Sequence, residues 1–306
     1  MNEKRNAPDP VYTLAATPQG VLFAGRRSGL FYSVNGITWV SLPVNPMICQ
    51  APSITALAGT PAGDVVFAGG YGCVVRLTIG DMRQQVSLLP RPLPLVTSLV
   101  VSPDYAHDGI VLAGTAEDGV FRSTDRGERW TPWNIGLLDH HIIDLAISPM
   151  FTVDETVFAA TETGVFLSVN GGRSWRPSVL PFDEDPVQCL AVSSSPTQGI
   201  AVYAGTERGA LLISRDKGKI WHTVTGITTE GQPINALVYM AETTLIIGMT
   251  DRFLLINDIP GTLPKVIREI HRPDMTTLVC TSPMSDAPVA AIGYIDGHIE
   301  RLQLRC

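Results

Sequence analysis

The chain has 306 residues, 45% of them hydrophobic, enough to bury a large core. Its 22 basic and 29 acidic residues leave a formal charge of −7 with no Lys/Arg cluster, which excludes nucleic acid as the main ligand, because phosphate binding needs a basic face. A low charged fraction of 17%, with 28 glycines and 23 prolines punctuating short Val, Ile, Thr and Leu runs, is the texture of many strands joined by turns.

Residues 1–10 read as an N-terminal tail. The start, Met1-Asn2-Glu3-Lys4-Arg5, is followed by no apolar stretch, and no later run approaches the ~20 apolar residues of a membrane helix. A cytoplasmic protein without membrane insertion is expected.

From residue 11 the chain repeats. A leucine recurs in a short apolar run as Leu14, Leu57, Leu99, Leu145, Leu190, Leu237 and Leu278, at spacings of 41 to 47 residues. That is the period of one propeller blade per repeat. Each repeat then carries a second run ending in small residues, such as Phe23-Ala24-Gly25, Phe67-Ala68-Gly69 and Leu112-Ala113-Gly114. Small residues there let neighbouring sheets approach near an axis. A third strand such as Gly119-Val120-Phe121-Arg122 follows, and a fourth opens at a tryptophan in the better copies. The expected fold is all-β: one seven-bladed β-propeller over residues 11–306, with about 44 residues per blade and blades starting near 11, 53, 96, 141, 187, 233 and 275.

The last repeat supplies three clear strands, through Gly297 to Cys306, and the first ten residues contain two prolines, so blade seven is expected to keep an open edge. Glu300, Arg301 and Arg305 read as guards of that edge, with completion by a partner strand as the alternative.

Between the third and fourth strands stand Ser123-Thr-Asp125-Arg-Gly127-Glu-Arg-Trp130, Ser168-Val-Asn170-Gly-Gly172-Arg-Ser-Trp175 and Ser214-Arg-Asp216-Lys-Gly218-Lys-Ile-Trp221. Ser33-Val-Asn35-Gly36-Ile-Thr-Trp39 is one residue shorter, and blades two and six have lost the pattern. The motif resembles the Asp-box of bacterial neuraminidase (BNR) repeats, also found in sortilin-type propellers, xyloglucanases and a photosystem II assembly factor. Its physical role is local: the Asp or Asn accepts backbone N–H groups, glycine takes a positive φ, and tryptophan packs beneath. These residues are therefore read as structural.

The resemblance to sialidases implies an arginine triad, a tyrosine nucleophile and an acidic partner, but the Arg-Ile-Pro segment of that family is absent and no matching arginine set recurs. No phosphate loop, nucleophile elbow or zinc-binding helix motif is present either, and the only ambiguous helical periodicity lies near Leu263 to Arg272. No catalytic residue, metal or cofactor is expected. Five cysteines, Cys49, Cys73, Cys189, Cys280 and Cys306, lack C-x-x-C spacing and read as reduced, buried thiols.

Connections between blades and the turns after second strands share one face of a propeller. Blades four and five gather His140, His141, Glu162, Asp183, Glu184, Asp185 and Glu207 there. A solvated loop face is the preferred reading and a divalent-cation site the alternative, since adjacent histidines entering a strand point to opposite sides. Asp144, the one acid in the innermost strands, reads as a channel residue bonded to water rather than a catalytic acid. Met47, Ile48, Leu137, Leu138 and Phe182 are apolar where connections are usually polar, and as a group they point to a partner surface. The acidic rim favours a basic partner. The expected function is a non-catalytic scaffold or protein-interaction module, a subunit or accessory of a larger bacterial assembly; the alternative is a carbohydrate-active enzyme or glycan-binding propeller.

Overall fold

Strands whose both faces are buried read as unbroken apolar runs, and the second strand of each repeat is of this kind: Val65–Gly70 and Val157–Thr161 are buried at every position. The computed structural model describes residues 8–44, 51–182, 185–195, 199–241, 244–257, 264–281 and 289–304. Around each second strand the chain folds as an antiparallel meander, giving, among the described residues, six four-stranded sheets and one three-stranded sheet. The fold is a seven-bladed β-propeller.

The innermost strands are Val11–Ala16, Ile54–Gly59, Val96–Val101, Ile142–Ile147, Val187–Ser195, Ala236–Ala241 and Met275–Thr281. In each, the repeated leucine faces a small or branched apolar residue of the second strand, as in Leu99↔Ala113 and Leu145↔Ala159. The glycine that follows serves close approach. A Cβ on Gly114 would lie 2.5 Å from Ile142 of the next blade, and one on Gly293 would lie 2.7 Å from Val11 across the ring closure.

Hydrogen bonds between innermost strands tie the ring. Thr55 Oγ1 donates to the Val96 carbonyl at 2.5 Å, Thr97 Oγ1 to Ile142 at 2.6 Å, and Thr276 Oγ1 to Val11 at 2.6 Å. The last of these joins blade seven to blade one.

The core is a ring of wedges, each between two blades. The wedge of blades two and three holds thirteen described buried residues, including Phe67, Tyr105 and Trp130. The wedge of blades seven and one holds six, Val11, Leu14, Leu22, Ala24, Ala291 and Ile299. That seam is thinner because blade seven has only Met275–Thr281, Val289–Tyr294 and Ile299–Gln303 among the described residues.

Three features depart from the sequence reading. The ambiguous stretch near 263–272 contains a strand, Lys265–His271, paired with Arg252–Asn257 as the fourth strand of blade six. Two four-residue helices, Tyr105–Asp108 and Phe151–Asp154, cross between first and second strands, each anchored by a buried aromatic and by a serine hydroxyl on its last aspartate, Ser102 to Asp108 at 2.6 Å and Ser148 to Asp154 at 3.0 Å. Cys73, expected as a reduced thiol, is disulfide-bonded, with a partner outside the described residues; Cys189 and Cys280 are in no disulfide. Among the described residues no helix is long and apolar enough to cross a membrane.

Candidate functional site

The four Ser-x-Asp/Asn turns share one geometry. Ser123, Ser168 and Ser214 each accept the N–H of the turn glycine, Gly127, Gly172 and Gly218, at 2.9 Å. Asp125 Oδ1 accepts the Arg129 N–H at 2.9 Å, Asn170 Oδ1 that of Ser174 at 2.9 Å, and Asp216 Oδ1 those of Lys219 and Ile220 at 3.0 Å. The shorter copy uses Ser33 on Gly36 and Asn35 on Ile37 and Thr38. Each acceptor is occupied by its own turn, and these bonds hold the Asp125 and Asp216 carboxyls below the usual carboxylate range against the opposing effect of desolvation.

Each turn also packs on the blade before it. A Cβ on Gly127 would meet Phe67 at 2.6 Å, one on Gly172 would meet Leu112 at 2.5 Å, and one on Gly218 would meet Phe158 at 2.3 Å. Trp130, Trp175 and Trp221 are buried beneath their turns, whereas Trp39 is only half-buried. Trp130 donates its indole N–H to Ser87 at 2.9 Å, and Trp175 donates to the Trp133 carbonyl at 2.8 Å, both across a blade boundary.

Asp144 is spent on structure. Its Oδ1 accepts Ser98 Oγ at 2.9 Å and the Leu145 N–H at 2.8 Å, while Oδ2 accepts the Leu190 N–H at 2.9 Å. The donors come from blades three, four and five, so protein groups rather than water fill the acceptor sites assigned to it from sequence. Desolvation pushes its carboxyl up to about 6 despite those bonds. Burial likewise pushes the nearby Cys189 thiol up.

At the channel mouth, His141, Glu162, Glu207, Gln188 and Thr97 line a shallow cavity of about 320 Å³. His141 Nδ1 lies 3.6 Å from Glu162 Oε1. Asp139 caps this loop, accepting the His141 N–H at 2.9 Å and the Thr163 N–H at 3.0 Å. Among the described residues no three His, Cys, Asp or Glu side chains converge as a metal site.

The candidate partner residues separate on inspection. Leu137 is only 4% exposed and belongs to the core wedge of blades three and four, and Phe182 is half-buried against that of blades four and five. Asp185 is buried and accepts the Arg208 N–H at 3.0 Å. Leu138 is 81% exposed, with His140, His141, Glu162 and Glu207 also at the surface. Met47, Ile48, Asp183 and Glu184 lie outside the described residues. The sequence reading missed Ile135 and Val179, which are strongly exposed although their backbones bridge to Ser174 and Ile220 of the next blade.

It also missed a cavity of about 710 Å³ at the seam of blades seven and one. Arg26, Ile37, Trp39, Ile299, Arg301 and Gln303 are among the residues that line it. The arginine guanidinium of Arg26 lies 4.8 Å from the Phe31 ring and 5.8 Å from that of Trp39. The only sequence signal was the missing fourth strand of blade seven.

No protein-family model matches the chain, and no curated protein matches it. Solved structures do. A GH74 xyloglucanase from Xanthomonas campestris aligns with a TM-score of 0.71 and 16% identity over 97% of this chain, which spans 52% of that enzyme's chain. A hydrazine synthase chain from Kuenenia stuttgartiensis aligns with a TM-score of 0.76 and 11% identity, covering 99% of this chain and 98% of that one. The WD40 repeats of RRP9 align with a TM-score of 0.75 and 13% identity, over 98% and 96% of the two chains. At these identities the likeness is one of fold.

Proposed function

We propose that this propeller, with turns of the Asp-box type, is a non-catalytic interaction module that docks a basic protein partner on the rim of blades three to five. The observation that carries the reading is Leu138, 81% exposed in a connection whose neighbour Leu137 is buried, next to exposed His140, His141, Glu162 and Glu207. A large apolar side chain held in solvent by a buried neighbour is a fixed anchor, and the surrounding carboxylates favour a cationic counterpart. The ionisable groups nearby have structural duties: Asp144 joins three blades, and Asp139 caps the loop. Propellers among the similar structures include WD40 repeats, which lends the same support at the level of fold.

The test is a native co-purification with the partner quantified by mass spectrometry, run with Leu138→Asp and with Val153→Asp, the latter an equally exposed site elsewhere. A stoichiometric partner is expected that is lost with Leu138→Asp, kept with Val153→Asp and weakened by raising salt from 0.1 to 0.5 M. Loss with both variants or neither overturns the reading. Likeness to a xyloglucanase keeps a glycan-binding propeller as the second reading, supported instead if xyloglucan retards the protein on an affinity gel and Leu138→Asp changes nothing.

A further inference from the structure

Among the described residues six blades have four strands and the seventh has three, and the seam cavity lies along the outer edge of that seventh blade. Two complete blades show what such a strand does. The fourth strand Arg83–Leu88 of blade two receives the Trp130 indole N–H on Ser87, and the residue after the fourth strand Thr131–Pro132 of blade three receives that of Trp175. The corresponding tryptophan of blade one, Trp39, faces the cavity instead.

The outer edge of Ile299–Gln303 is ready for pairing. Tyr294 and His298 form a hydrogen-bonded pair, N–H to carbonyl at 3.1 Å, so in the antiparallel register the pairs Ile292↔Glu300 and Ala290↔Leu302 are also bonded. The backbone groups of Ile299, Arg301 and Gln303 therefore point away from the sheet, toward the open side. Glu300 is turned toward blade six, accepting Arg272 Nε at 2.7 Å, and also accepts the Tyr294 hydroxyl of its own blade at 2.7 Å.

The groove has polarity. At the Ile299 end, Arg26 has a buried Nε with no acceptor, and its Nη1 stands 3.9 Å from Asp9 Oδ2, a carboxylate already holding the Ser28 N–H at 2.8 Å and hydroxyl at 2.7 Å. At the Gln303 end, Arg301 Nη1 donates to the Asn35 carbonyl at 2.6 Å, beside Ile37, which is 83% exposed. An apolar wall thus leads to a guanidinium whose described carboxylate partner lies 3.9 Å away.

We propose that this seam is a strand-docking groove that takes an extended segment of a partner protein, antiparallel to Ile299–Gln303, with apolar side chains on Ile37 and Trp39 and a carboxylate toward its C-terminal end on Arg26. The direction follows that of the fourth strands in the complete blades, and the spacing follows the two-residue period of one strand face. The chain's own residues 1–7, Met-Asn-Glu-Lys-Arg-Asn-Ala, carry two cations and one acid, the wrong balance for a groove walled by Arg26 and Arg301. This groove is separate from the Leu138 rim, so Leu138→Asp leaves its binding unchanged and the two readings fail independently.

Amide hydrogen exchange across 298–304 tests the groove in the full chain. The probe is the capped peptide Thr-Val-Thr-Val-Thr-Glu-Ser, with a control carrying Lys for Glu. The edge amides of Ile299, Arg301 and Gln303 are expected to exchange freely alone and at least 10-fold more slowly with the acidic peptide, and not with the lysine peptide. Arg26→Gln is expected to erase the difference between peptides. Gln303→Pro, which removes an outward N–H and spares the inner ladder, is expected to abolish protection. Protection by both peptides alike or by neither overturns the proposal. So does protection without peptide, whether relieved by deleting residues 1–7, which names the chain's own segment, or by dilution, which names a second copy.

Discussion

The indole of Trp130 and the hydroxyl of Ser87, 43 residues apart, meet at 2.9 Å across the boundary of blades two and three. Both are buried, and Ser87 donates its own O–H to the Val74 carbonyl at 3.2 Å, so the tryptophan of one blade is fastened to two strands of the one before. Ser87→Ala leaves a buried indole N–H without an acceptor and is expected to cost about 1–3 kcal/mol. Trp130→Phe in the Ser87→Ala background is expected to cost less than Trp130→Phe alone, with a coupling of about 1 kcal/mol measured by denaturant melts of the four proteins. Strict additivity would show that the bond contributes nothing to stability.

Gly127 and Gly226 separate backbone strain from packing. Both have φ above +80°, but a Cβ on Gly127 would lie 2.6 Å from the Phe67 ring, whereas one on Gly226 meets nothing within 4 Å. Gly226→Ala is expected to cost about 1 kcal/mol, the penalty of a left-handed alanine. Gly127→Ala adds overpacking of about 1–3 kcal/mol. Equal losses in the two melts would show that the turn does not press on the neighbouring blade.

The fold was legible because its determinants repeat: the leucine of each inner strand, the small residues of each second strand and the serine-led turns recur at one period. The three described strands of blade seven were legible for the same reason, as a shorter member of a series. The site was less so. Leu137 and Leu138 are adjacent and chemically alike, yet one is 4% and the other 81% exposed. Their connection has no periodicity to assign a face, and the choice is made by a pocket formed with Leu112 and Trp175. Arg26 carries no signal in the sequence, because its neighbours Trp39 and Arg301 belong to opposite ends of the chain and meet only when the ring closes. Asp144 was noticed as an acid in an inner strand, while its three donors lie some 46 residues away or next door and carry no recognisable pattern.

Cys73 gives a redox dependence that the cysteine spacing did not foretell. Its side chain is fully buried in the wedge of blades one and two, among Phe23, Ile54 and Val75, and it is disulfide-bonded. Thiol titration in denaturant is expected to release two more thiols after reduction than before, and reduction is expected to lower stability by about 2–4 kcal/mol. Protein purified from a reducing cytosol with every thiol titratable at the outset, and with an unchanged melt, would return Cys73 to the reduced state expected from its spacing.

Asp144 gives the protein a stability that falls as pH rises, the reverse of the usual carboxylate effect. In the unfolded chain its carboxyl titrates near 3.8; in the fold, desolvation holds it up to about 6. Below 3.8 both states carry the proton and no difference arises. Between 3.8 and about 6 the unfolded chain releases its proton first, so unfolding is favoured by mass action and stability declines through that window. Above 6 both states are ionised and the loss is complete, about 3 kcal/mol for a two-unit displacement. Asp144→Asn keeps one oxygen for the Leu190 N–H, turns its amide toward the Ser98 hydroxyl, which can accept, and leaves the Leu145 N–H to Ser98 Oγ at 3.1 Å; it removes the titration. Denaturant melts from pH 4 to 7 are therefore expected to converge for the two proteins only in how they vary above pH 6, with the wild-type curve falling relative to Asp144→Asn below that point. Asp144→Ala, which strands the donors of three blades, is expected to be less stable than either across the whole range. Parallel wild-type and Asp144→Asn curves between pH 4 and 6 would mean that the carboxyl is ionised throughout, its three hydrogen bonds outweighing the desolvation that raises it.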